Sequence, residues 1–189
     1  AGAPADPGRH GVRTDWDYSA LAAAYGKRPA YAPAAIDAML ATAGPAGPPR
    51  IVIVGLGGLG ESLLVHAARQ WKASAAGEAA LDVVLVDRIA REVSERLLAQ
   101  HPGLDRVCSL TVLDMDVNSA AFHRAEFLDG LAPDALPPCV FVCVDDDSLG
   151  LSTALALVRE RQPAPTVVVR MAQETGLAAL LGEDALNSG

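Results

Sequence analysis

Aromatic residues make up only 4% of this 189-residue chain, and its 15 Lys and Arg are outnumbered by 23 Asp and Glu. The resulting net charge of −8 argues against a sequence-blind nucleic-acid binder, which needs a basic surface to displace counterions, so no nucleic-acid partner is expected. Long hydrophobic runs are missing too. No stretch approaches the roughly 18 uninterrupted apolar residues that a membrane-spanning helix requires. Cysteine is scarce: Cys108, Cys139 and Cys143 cannot make a paired disulfide framework, and they read as buried small hydrophobes in a reducing cytoplasm. His10, His66, His101 and His123 show no ligand-type spacing with them, so no metal site is expected. The opening Ala1-Gly-Ala-Pro4 lacks the charged and apolar regions of a signal peptide, and a start without Met leads us to expect a piece of a longer protein.

What is present is a chain 51% apolar and 20% charged, enough for a sizeable core and too little charge for wholesale disorder. At roughly 150 residues per domain, one domain with an appendage is expected. Residues 1–14, rich in Gly, Pro and Ala, read as a flexible leader. Residues 15–49 read as a helical extension carrying Trp16, Tyr18, Tyr25 and Tyr31, closed by the breaker Gly44-Pro-Ala-Gly-Pro-Pro49.

From residue 50 the pattern becomes regular. Strand-like runs at Arg50–Val54, Leu81–Val86, Val107–Leu113, Pro138–Val144 and Thr166–Arg170 alternate with helix-like segments at 58–72, 89–100, 119–128 and 147–161, and a further helix starts at 174–181. Four of these strands are nearly continuous apolar runs, as burial on both faces demands. Right-handed crossovers then give an α/β domain over 50–189, a doubly wound parallel sheet of Rossmann-like type with at least five strands.

The first strand leads through Gly55-Leu56-Gly57-Gly58-Leu59-Gly60 straight into a helix. In that context Gly55 permits the tight turn, Gly57 lets backbone approach a pyrophosphate, and Gly60 lets the helix lie close to the strand. The helix start adds N–H groups and a positive dipole end. The second strand ends at Asp87, where such a fold accepts hydrogen bonds from ribose hydroxyls. It lies 27 positions past Gly60, farther than the usual offset because of the Ala/Gly-rich insert WKASAAGEAA. Asp87 disfavours a 2′-phosphate, and Arg88 beside it weakens that preference.

Asp114 and Asp116 stand two apart, as an acid–base pair could, but Asn118 or Ser119 capping the next helix and Asp116 edging an adenine pocket account for them better. Asp145-Asp146-Asp147 suggests a divalent cation, yet Asp at a helix entry usually caps it. No Ser-His-Asp elbow or Walker lysine is present. A binding site without evident chemistry is expected, with no catalytic residues and no metal.

Together, the glycine loop, Val86-Asp87-Arg88, the Met115-Asp116-Val117 turn, Val144-Asp145-Asp146-Asp147 before a Leu-rich helix, and Val167-Val-Val-Arg170 resemble the N-terminal lobe of RCK (regulator of potassium conductance) domains. These are also called TrkA-N domains. The resemblance covers about residues 50–182. It implies a cytoplasmic ligand sensor, not an enzyme, that gates a potassium channel or transporter by binding NAD(H), or alternatively ADP, ATP or AMP. By this resemblance Gly55, Leu56, Gly57, Gly58, Leu59 and Gly60 form the phosphate loop, Asp87 holds ribose with Arg88 nearby, and Asp116 and Val117 border adenine. Val144 and Asp145 lie at the fourth strand tip, and Arg170 reaches toward phosphate or across a homodimer built on helices 147–161 and 174–182. Several features depart from the family. Met115 stands where its turn usually begins with Gly, and the sequence stops before the sixth strand expected beyond 174–182. No C-terminal ligand-binding lobe or pore follows, and the 49-residue N-terminal extension lies outside the pattern, as expected of a piece of a longer protein. The same loop and aspartate also open the adenylyltransferases that activate ubiquitin-like proteins, but the stretch Arg88–Glu95 lacks their asparagine. That enzyme class and a small NAD-dependent oxidoreductase are the alternatives.

Overall fold

The structure, a computed structural model, describes residues 49–74, 79–128, 138–160 and 165–171. The leader at 1–14, the extension up to residue 48 and the segment at 174–182 lie outside the described residues. Five strands form one all-parallel sheet: β1 (Arg50–Val54), β2 (Leu81–Asp87), β3 (Cys108–Asp114), β4 (Cys139–Val142) and β5 (Thr166–Val169). Their order is β3-β2-β1-β4-β5, so the chain runs outward from β1 to one edge, returns, and runs outward to the other. Between the strands lie α1 (Gly58–Ala73), α2 (Ala90–Gln100), the short α3 (Leu104–Val107), the short α4 (Ala120–His123) and α5 (Asp147–Glu160). The expected doubly wound α/β architecture is what the described residues form, and no helix among them is long and apolar enough to cross a membrane.

The pleat divides each apolar strand between two cores. Ile51, Ile53, Phe141 and Val168 face one side, packed with Leu59, Leu63 and Trp71 of α1 and Val93 and Leu97 of α2. Val52, Val54, Val142 and Val169 face the other, packed with Phe122 of α4 and Ala154 and Leu157 of α5. Burial on both faces is therefore why β1, β4 and β5 read as unbroken apolar runs. Edge strand β3 differs: Leu110 and Val112 lean on the first core while Ser109 and Thr111 are exposed. Buried Trp71 donates its indole N–H to the Ala79 carbonyl at 2.7 Å, tying the end of α1 to the residues that enter β2. Arg96 of α2 pairs with Glu61 of α1.

Two segments depart from the periodic pattern. The third strand starts at Cys108 because Gly103, with φ of +95°, turns residues 104–107 into a helical turn. The helix expected over 119–128 stops at His123, and a 3-10 turn follows at Glu126–Leu128. Between them buried Ala125 takes φ of +51°, a conformation that ends an α-helix.

The start of α1 lies almost on the turn before it. A Cβ on Gly60 would come 2.1 Å from the Gly55 carbonyl oxygen, whereas one on Gly57 would meet nothing within 4 Å. Gly60→Ala therefore destabilises the domain by about 3 kcal/mol, backbone overpacking outweighing the roughly 1 kcal/mol gained in helix propensity. Gly57→Ala stays within about 0.5 kcal/mol of the parent. Urea unfolding of the two variants measures the contrast.

Candidate functional site

In a parallel sheet every strand ends on the same edge, and where the winding reverses no helix crosses over that edge. Here the reversal lies between β1 and β4, whose last ladder pair is Val54 with Val142. A cavity of about 440 Å³ opens there, within the range of small-molecule sites. Its walls are the residues that follow the strands: Gly55, Leu56 and Gly57 after β1, Val86 to Ile89 around the end of β2, Met115 to Asn118 after β3, and Cys143 to Asp146 with Leu149 after β4.

Gly55 makes the bend with φ of +92° and donates its N–H to the Val86 carbonyl at 2.9 Å. A Cβ there would come 3.0 Å from the Val144 amide nitrogen, so only glycine lets the loops after β1 and β4 approach this closely. Gly57 is the N-cap of α1 and, having no side chain, gives no side-chain hydrogen bond to the first turn. The amides of that turn are thus left for an outside acceptor.

Asp87 does more than face the cavity. Its Oδ2 accepts from the Leu56 N–H at 2.8 Å and its Oδ1 from the Ile89 N–H at 3.1 Å, so it also serves the start of α2. Ile89, about half exposed at 53%, stands on the lip. Asp116 accepts from the Asn118 N–H at 2.8 Å, Asp146 from the Leu149 N–H at 2.8 Å at the entry to α5, and Ser119 caps α4 by accepting from Phe122 N–H. Asp114 is not a partner for Asp116. It points away, to the backbone and guanidinium N–H groups of Arg91, and the Arg91 amide foremost holds its carboxyl below the usual range. The lining carries four carboxylates, Asp87, Asp116, Asp145 and Asp146, against the one guanidinium of Arg88. No group of metal-ligating side chains occurs among the described residues.

Most sequence-predicted site residues thus meet in one crevice: Gly55, Leu56, Gly57, Asp87, Arg88, Asp116, Val117, Val144 and Asp145. Gly58, Leu59 and Gly60 do not line it, since Leu59 is packed into the core and Gly60 against the Gly55 carbonyl. Arg170 is not among the lining residues either. Its largely buried guanidinium donates through Nη1 to Asp145 Oδ1 at 2.8 Å, with the Val144 carbonyl 3.5 Å away. Sequence reasoning missed Val86, Ile89, Asn118, Cys143, Asp146 and Leu149 as wall residues and assigned no role there to Met115. Cys143 and Met115 are the first residues past β4 and β3, so exact strand ends would have found both.

The fold and crevice define a Rossmann-like α/β domain with an open switch-point cavity. Comparison of the chain with models of known families, with curated proteins and with solved structures finds no match.

All three cysteines are buried, and burial pushes their thiols up, Cys108 to about 11 and Cys139 and Cys143 to about 12. In the unfolded chain they ionise near the usual 9.0, so folding stability is unaffected below about pH 9 and falls as pH rises from there toward the folded values. At pH 8 the folded protein leaves all three thiols unmodified by a maleimide, and guanidinium exposes three. Rapid native labelling at Cys143 would show that the crevice wall opens.

Proposed function

We propose that this domain is a nucleotide sensor whose crevice binds NAD(H), with ADP, ATP or AMP as the alternative ligands. The observation that carries the reading is the convergence, in one 440 Å³ cavity at the switch point, of the Gly55–Gly57 bend and the Asp87 carboxylate from the neighbouring strand. A diphosphate fits the open side of Gly57, where nothing lies within 4 Å and where the dipole of α1 favours an anion. Asp87 keeps lone pairs beyond the two N–H groups it serves, which ribose hydroxyls can use. An extra phosphate at the 2′ position meets Asp87 and its carboxylate neighbours, which supports NAD over NADP.

Reading the domain as a sensor and not an enzyme rests on the family resemblance, and the crevice carboxylates already serve local donors. Asp116 and Asp146 each spend an oxygen on a local backbone N–H, and Asp145 is paired with Arg170. The regulatory role in a potassium channel or transporter system, at the cytoplasmic face and as a homodimer, rests on the resemblance of residues 50–182 to RCK lobes. In such a sensor the nucleotide shifts the assembly by the difference in its affinity for two arrangements.

Thermal unfolding with NAD, NADH, ADP and ATP tests the reading. A ligand present at 100 times its Kd adds about 2.7 kcal/mol of stability. Gly57→Ala, whose methyl meets only the open cavity, abolishes that gain without lowering the stability of the free protein. No stabilisation by any of the four at millimolar concentration would refute nucleotide binding.

A further inference from the structure

Two amides of the glycine turn are tethered to the sheet, while the Gly57 carbonyl accepts from the Glu61 N–H of α1 at 3.0 Å. Gly55 N–H donates to the Val86 carbonyl at 2.9 Å and Leu56 N–H donates to Asp87 Oδ2 at 2.8 Å, so both tethers come from the end of β2. Leu56 belongs to the loop that faces the diphosphate, yet its amide is already taken. The amides left to an anion therefore begin at Gly57, which lies directly beyond the tethered peptide. Glycines flanking that peptide impose little conformational restraint of their own, and Gly57 brings no side-chain cap. The other oxygen of Asp87 holds the Ile89 amide, at the start of the opposite wall. One side chain thus spans the phosphate wall and the sugar wall, with both oxygens oriented before any ligand arrives.

We propose that Asp87, besides accepting from ribose hydroxyls, is a positioning residue for the diphosphate cradle: by holding the Leu56 peptide it sets where the Gly57 amide points, which couples sugar recognition to phosphate recognition. The proposal rests on the nucleotide reading above and makes a separate claim. If Asp87 served only the sugar, its removal would cost nothing to a ligand without ribose hydroxyls. If it also aims the loop, that ligand suffers as well.

The experiment compares ADP with 2′,3′-dideoxyadenosine 5′-diphosphate by titration calorimetry, using the full 189-residue chain as parent, Asp87→Asn and Asp87→Ala. Circular dichroism confirms that each folds. Amide hydrogen exchange at Leu56 reports the tether directly, with Val168 in β5 as the internal control. The expected result is that Asp87→Ala weakens the dideoxy ligand about tenfold, the ratio given by about 1.4 kcal/mol. Leu56 exchange in the free variant accelerates by at least about tenfold while Val168 is unchanged. Asp87→Asn, which keeps one acceptor oxygen of the same reach, falls between the two and serves as the comparison if the alanine variant does not fold. Binding of the dideoxy ligand to parent and variant within about twofold overturns the positioning role and leaves the nucleotide reading intact. Failure of the parent to bind either ligand overturns both.

Discussion

The approach of α1 to its preceding turn is the constraint on which the rest of the molecule depends. With no side chain at Gly60, the helix rests against the Gly55 carbonyl, at a spacing where a Cβ would sit 2.1 Å from that oxygen. That contact sets how closely α1 packs on the sheet, and so how Leu59, Leu63 and Trp71 meet Ile51 and Ile53. It also fixes the start of the helix over the end of β1, leaving Gly57 at an open edge. Core packing and crevice geometry are therefore consequences of the same backbone approach.

A parallel register does the remaining work. Val54 pairs with Val86 on one side and Val142 on the other, and Asp87 pairs with Asp114, so the strand ends lie in one row. Residues distant in sequence become the walls of one cavity simply because each follows its strand. The carboxylates placed there are not idle: Asp87 holds two backbone amides, Asp116 and Asp146 one each, and Asp145 faces Arg170. The acidic rim of the crevice is tolerable because its charges are engaged by N–H donors.

The apolar strands and the helix periodicity were legible because burial on two faces leaves an unmistakable run, as in Ile51–Val54 and Val167–Val169. The glycine positions were legible for the same kind of reason: a turn with positive φ and a close helix contact accept little else. Less readable were the ends of elements. Gly103 and Ala125 both enter positive φ, and only for the glycine does composition hint at it. For Arg170 the family resemblance implies a reach toward phosphate or across a homodimer, and the residues alone do not choose a direction. Which way its guanidinium turns depends on Asp145 and Val144, brought beside it by the β4–β5 pairing.

By itself the sequence determined that five strands, four of them nearly continuous apolar runs, alternate with helices, that the first strand ends in a glycine bend, and that a carboxylate closes the second. These follow from local rules of periodicity, backbone freedom and side-chain chemistry. Only the tertiary structure decided that Asp87 grips the Leu56 and Ile89 amides, that Asp114 turns to Arg91 while Asp116 faces the crevice, and that Cys143 and Met115 form its walls. Those outcomes depend on strand register and on which backbone N–H groups are left without an intrahelical partner, and both are properties of elements already packed together.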